Sequence, residues 1–160
     1  MSQAALPKAD PENTPPVSVT NPSFAGEPLF AETKRLFEYV NTHNYEALSQ
    51  LCDDDFGIVD IDPAGKNVIV PDRPGWERWF QTLFGQLHDM QATTRTDILN
   101  YQVRLSPDMA YSVVQFCQYL KVQEQHLRFF CVATVIWKPT PAGWKEALWH
   151  CSLIEGPVPA

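Results

Sequence analysis

Positive charge is scarce in this sequence, and nowhere is it gathered. Over 160 residues 12 Lys and Arg stand against 19 Asp and Glu, a formal net charge of -7, and the basic residues are scattered along the chain. A surface of that kind offers no stripe for a phosphate backbone, which excludes nucleic acid as an expected partner. No apolar run approaches the roughly 20 residues a membrane span needs, and the N-terminus lacks the basic-then-apolar layout of a secretion signal. No membrane partner is therefore expected, and the expected location is cytoplasmic. Cysteine is limited to Cys52, Cys117, Cys131 and Cys151, with no C-x-x-C spacing, so reduced, buried thiols are expected. The histidines at 43, 88, 126 and 150 show no ligand spacing, and neither a metal nor a cofactor is implied.

What is present divides the chain in two. Residues 1–26 are rich in proline and small polar residues and have no apolar period, so they read as a disordered tail that cannot bury enough surface to offset its ordering entropy. Residues 27–156 read as one domain, with 157–160 as a short C-terminal tail. Leu29, Phe30, Thr33, Leu36, Phe37 and Val40 recur at helical spacing, and Tyr45, Leu48, Leu51 and Cys52 repeat the pattern until Asp53, Asp54 and Asp55 are expected to stop it. Phe56 to Ile61 alternates as a short strand before the turn Asp62-Pro63-Ala64-Gly65. Asp72 is placed to cap a third helix with Pro74 in its first turn and a broad stripe from Trp76 to Leu87. Residues 92–106, 109–122, 126–138 and 144–154 are rich in β-branched and aromatic residues and punctuated by turn residues, which predicts consecutive antiparallel strands. Helices first and strands afterwards give an α+β domain, a curved, mainly antiparallel sheet with helices against one face.

Five stretches add a resemblance. Asn41 to Asp53 (N-T-H-N-Y-E-A-L-S-Q-L-C-D), Asp97 to Asn100, Gln118-Tyr119, Thr134 to Trp137 and Trp144 to Ser152 (W-K-E-A-L-W-H-C-S), in that order, resemble the nuclear transport factor 2-like superfamily. That superfamily includes ketosteroid isomerase, SnoaL-like cyclases and, most similar here, the association domain of calcium/calmodulin-dependent protein kinase II. The resemblance implies a cone-shaped α+β fold with helices in the concave face of the sheet, and a homodimer or higher oligomer formed through the sheet.

The run His150-Cys151-Ser152 sets three nucleophile-type residues side by side, but alternation along a strand sends Trp149, Cys151 and Leu153 one way and His150, Ser152 and Ile154 the other. A Cys-His dyad is thereby excluded. A Ser-His pair would share a face about 6.5 Å apart with no acid to orient it. If the hairpin turns centre near Glu124 and Pro141, Cys117, Cys131 and Cys151 form one row across three strands. By the resemblance this row lines an internal cavity, and parity adds Gln115, Tyr119, Phe129, Ala133, Val135, Trp137 and Trp149. Arginines that some association domains place there correspond to Gln115, Val135 and Cys151, so a neutral, aromatic cavity for a small hydrophobic ligand is expected. Phe116, Gln118, Phe130, Thr134, Ile136, His150 and Ser152 then fall on the outer face as the expected dimer interface.

The turn at Asp62 resembles the D-P-x-G segment that holds the general base of ketosteroid isomerases, which makes Asp62 the candidate catalytic base, with Asp60, Tyr119 and Gln115 as helpers. The isomerase's two oxyanion donors correspond to Leu36 and Ala133, which cannot donate, so steroid isomerisation itself is disfavoured. The leading expectation is an oligomerising small-molecule-binding domain. The alternatives are a cofactor-free isomerase, cyclase or dehydratase using Asp62, and a metal-free carbonic anhydrase-like activity.

Overall fold

The computed structural model describes residues 24–62 and 64–160. The order of elements is α1 (Phe30–Asn41), α2 (Tyr45–Leu51), β1 (Cys52–Ile61), β2 (Asn67–Val70), α3 (Arg73–Asp89), β3 (Thr93–Leu105), β4 (Ala110–Val122), β5 (Gln125–Thr140) and β6 (Gly143–Pro159). Strands form a six-stranded sheet ordered β2-β1-β6-β5-β4-β3, antiparallel except where β1 runs parallel to β6. This is the α+β architecture the sequence implies. No helix among the described residues is long and apolar enough to cross a membrane.

Local chemistry sets the helix ends. Asn44 caps α2 by accepting the amide of Ala47 at 3.1 Å, and Asp72 caps α3 by accepting that of Gly75 at 2.7 Å. From α3 the side chains of Trp76, Phe80, Phe84 and Leu87 are buried, and from α1 those of Thr33, Leu36 and Phe37. Phe37 meets the sheet directly, its ring 4.8 Å from Phe116 and 5.6 Å from Trp149. Arg73 ties the start of α3 to the end of α2: its guanidinium donates to the carbonyls of Ser49, Cys52 and Asp53 and to the Ser49 hydroxyl.

Five local expectations are corrected. The aspartates at 53–55 do not end a helix, since β1 already begins at Cys52; Asp54 and Asp55 stay exposed, and Asp53 pairs with Lys138 at 2.9 Å. Extended backbone leaves these charges in water, so they do not oppose it. Residues 67–70, given no element by periodicity, pair with β1 as an edge strand. At the chain's end, residues 157–159 continue β6 against β5, with Arg128 opposite Val158 and Leu127 opposite Pro159. Of the expected tail, residues 1–23 lie outside the described residues, whereas Phe24 packs its ring against Phe30 and Tyr101.

The fifth correction concerns register. The β4–β5 hairpin closes on two residues, with Val122 opposite Gln125 and Gln123 at a φ of 54°, the positive sign that tight hairpin turns require. Phe116 therefore faces Cys131, and Cys117 faces Phe130. That is one residue away from the expected register, and such a step moves every side chain of a strand to the opposite face.

Candidate functional site

Between the helices and the concave face lies a cavity of about 160 Å³, walled by aromatic rings from α1, α3 and the sheet, among them Phe37, Trp76, Trp79, Phe80, Phe116 and Trp149. Of the residues expected to line it, Phe129, Cys131, Trp149 and Cys151 do so. Val135 points inward but is sealed in the core at 0% exposure, away from the lining.

Gln115, Cys117 and Tyr119 are placed on the other face by the hairpin register: Gln115 is exposed, and Tyr119 lies under the Arg95 guanidinium, 4.3 Å from its ring centre. Phe116 and Gln118, expected at the interface, line the cavity instead. Gln118 is held there by Asn41 and Thr96, accepting the Thr96 hydroxyl at 2.6 Å. The other interface candidates, Phe130, Thr134, Ile136, His150 and Ser152, occupy the convex face, where His150 and Ser152 are exposed. Nor is there a three-thiol row. Cys131 stands opposite Leu153 and Cys151 opposite Ala133, so these two are diagonal neighbours on the inner face, without Cys117.

Three carboxyl residues, Asp60, Asp62 and Glu146, share this cavity with the rings, which corrects the expectation of a neutral lining. Asp60 follows Phe56 and Ile58 in the inward alternation of β1, and its Oδ1 accepts the Ile61 amide at 2.8 Å. Burial pushes its pKa up to about 6, opposed by that amide and by the nearby Trp149 and Cys151 side chains. Asp60 nevertheless keeps part of its surface open, the part it presents to the cavity. Glu146 is 2% exposed, and its Oε2 accepts the Cys52 thiol at 3.5 Å. Burial pushes Glu146 up to about 8, the Cys52 hydrogen bond opposes this, and the charge of Asp60 adds to the rise. At neutral pH, then, Asp60 is mostly ionised and Glu146 mostly carries its proton.

Asp62 borders the same cavity, but its Oδ1 accepts the amides of Ala64 and Lys66, each at 2.9 Å, which is the bonding of a turn-forming aspartate. Pro63 lies outside the described residues. Cys131 and Cys151 influence each other: the neighbouring thiol lowers the pKa of Cys131, while Cys151, beside both Cys131 and Asp60, is held firmly protonated.

Asp60 was legible as the third inward position of an apolar alternation. Glu146 was not. Its register slips relative to Trp149, because the β5–β6 ladder shifts between Ile136 and Trp137, turning an even-numbered residue inward beside odd-numbered Trp149 and Cys151.

Comparison with known proteins gives a family and a fold. The family model described as SnoaL-like domain matches residues 32–155. A sequence comparison with curated proteins finds no match. Among solved structures, a proposed dehydratase of the NTF2-like family from Streptomyces avermitilis superposes with a TM-score of 0.67 at 15% identity, over 79% of this chain and 93% of that one. A proposed calcium/calmodulin-dependent protein kinase II association domain from Xanthomonas campestris gives 0.64 at 16%, over 78% and 84%. The beta subunit of benzoate 1,2-dioxygenase from Burkholderia mallei gives 0.64 at 12%, over 77% and 86%. At these identities the likeness is one of fold.

Proposed function

From the premise that the chain belongs to the SnoaL-like domain family, we propose a cofactor-independent acid–base enzyme of the isomerase or dehydratase kind, acting on a small hydrophobic carbonyl compound held in the cavity. The observation behind this reading is the pair of carboxyl groups, Asp60 and Glu146, facing one aromatic cavity with affinities for protons on either side of neutrality. Environments that split two acids in this way supply a base and an acid at the same pH.

In this reading Asp60 removes a proton from the carbon next to the carbonyl, and the C–H electron pair moves into the enolate. For dehydration, Glu146 protonates the departing hydroxyl, which leaves as water while the double bond forms. For isomerisation, Asp60 returns the same proton to a carbon further along the conjugated system. Asp62 fixes the turn that ends β1 and so holds Asp60 in place, a positioning role suggested by its two backbone hydrogen bonds.

The test is substrate-independent: deuterium exchange at the α-carbon of cyclohexanone in D2O, followed by NMR. The wild-type protein accelerates exchange, Asp60→Asn loses roughly 100-fold or more of that acceleration, and Asp62→Asn keeps most of it. An inert wild-type protein, or an Asp60→Asn variant as active as wild type, refutes the assignment.

A second reading, self-assembly through the convex face, is favoured by Leu148 and Ile154, which are 41% and 63% exposed on the same strand face as His150 and Ser152. Light scattering over a range of concentrations tests it, and a strictly monomeric protein contradicts it.

A further inference from the structure

The cavity walls join aromatic faces to charge of one sign. Phe37, Trp76, Trp79, Phe80, Phe116 and Trp149 surround the space, and Asp60 opens onto it from β1. The Asp60 carboxylate accepts the Ile61 amide and hydrogen bonds from the Trp149 and Cys151 side chains, which satisfy its oxygens without balancing its charge. Among the described residues no lysine, arginine or histidine lines the cavity, and Asp60 enters no ion pair. Cations near the rings are engaged elsewhere. Arg73 lies 4.9 Å over the Trp76 ring centre but donates to the carbonyls of Ser49, Cys52 and Asp53, outside the lining, while Arg95 and Arg128 stack on Tyr119 and Phe130 of the convex face.

An ionised carboxylate beside apolar walls costs free energy unless a cation is paired with it. Aromatic faces are the negative side of the ring quadrupole and attract a cation within about 6 Å of the ring centre. Both features therefore favour the same class of ligand. Its nitrogen is best fully alkylated, because a primary ammonium brings N–H groups that need acceptors. The neutral polar side chains of the lining are already engaged: Gln118 with Thr96 and Asn41, and Thr94 with the Asn41 carbonyl at 3.4 Å.

We propose that the cavity binds a small organic cation, with an alkylated ammonium head seated among the rings and paired with Asp60. Size agrees: the cavity of about 160 Å³ is close to the roughly 150 Å³ apolar cavity that accepts benzene, and a trimethylammonium head is of similar bulk to that ring. The inference deepens the reading above by adding a positive charge to the carbonyl compound, a charge that also stabilises the enolate formed in the proposed reaction. It rests on that reading for the choice of cavity, but not on proton transfer taking place there.

Two probes of one shape isolate the charge: choline, and 3,3-dimethyl-1-butanol, in which carbon replaces the nitrogen. Each is titrated near neutral pH into the full-length protein and followed by calorimetry. Choline is expected to bind at least about tenfold more tightly than the alcohol, and Asp60→Asn is expected to lose most of that preference. Nuclear Overhauser contacts from the choline methyl protons to the Phe37 and Trp149 rings place the head in the wild-type cavity, a readout that serves even if Asp60→Asn does not fold. The inference is overturned if the alcohol binds as tightly as choline, if choline does not bind, or if its methyl contacts fall outside the cavity. A folded Asp60→Asn that keeps the full preference overturns it as well. Choline binding in the cavity without α-proton exchange of cyclohexanone would sink the enzyme reading alone, whereas exchange with no preference for choline would sink this one alone.

Discussion

Replacing Glu146 by glutamine should change how stability depends on pH, in a direction and size set by the surroundings of that one side chain. The carboxyl is 2% exposed, and burial is the largest cause of its rise from an ordinary value of 4.5 to about 8. The folded state therefore holds a proton that the unfolded state gives up. Since stability falls with pH wherever the native state binds more protons, Glu146 contributes fully below pH 4.5, and its contribution is lost as pH rises to about 8. The difference amounts to about 5 kcal/mol at 1.36 kcal/mol per unit. Glutamine keeps the shape and an oxygen that can accept the Cys52 thiol, yet it has no proton to lose. Urea denaturation of both proteins at intervals from pH 5 to 9 measures the effect. The wild-type midpoint should fall across the interval much more steeply than that of Glu146→Gln, so that the variant becomes the more stable protein at the alkaline end. Parallel profiles would show that Glu146 ionises at an ordinary pH, and the acid half of the proposed mechanism would be lost.

Two further outcomes follow from the same geometry. The exchange rate with cyclohexanone should rise as Asp60 ionises through about pH 6, and Asp60→Asn should remove that rise. Arg73→Ala removes a charged donor from three carbonyls and a hydroxyl at the α2–β1–α3 junction and should cost roughly 2 to 4 kcal/mol of stability; urea denaturation would contradict this with a loss under about 1 kcal/mol.

The helices were readable because their patterns are local. The stripe from Trp76 to Leu87, the Asp72 cap and the renewed helical period from Tyr45 each depend on residues a turn apart, and each appears in the fold. The last strand was readable for a similar reason, since Trp149 and Cys151 point inward and His150 outward by alternation alone. Relations between strands were harder. A two-residue turn at Gln123-Glu124 in place of one centred on Glu124 exchanged Cys117 for Phe116 and Tyr119 for Gln118 on the cavity wall. Nothing in the composition of β4 signals that choice, because both of its faces carry apolar residues. A ladder irregularity hid Glu146 in the same way, so the site's second carboxyl was lost to a shift of one residue. Resemblance directed attention to Asp62, whereas the alternation of β1 already pointed to Asp60 two residues earlier.

The central claim, that two carboxyls in one aromatic cavity titrate on either side of neutrality, is tested most directly by carboxyl-carbon NMR on protein labelled with 13C at aspartate and glutamate side chains, with Asp60→Asn and Glu146→Gln used for assignment. One carboxyl midpoint is expected near pH 6, disappearing in Asp60→Asn, and another near pH 8, disappearing in Glu146→Gln. If both groups finish ionising below about pH 5, in the ordinary carboxylate range, the cavity holds no acid–base pair and the proposed function falls with it.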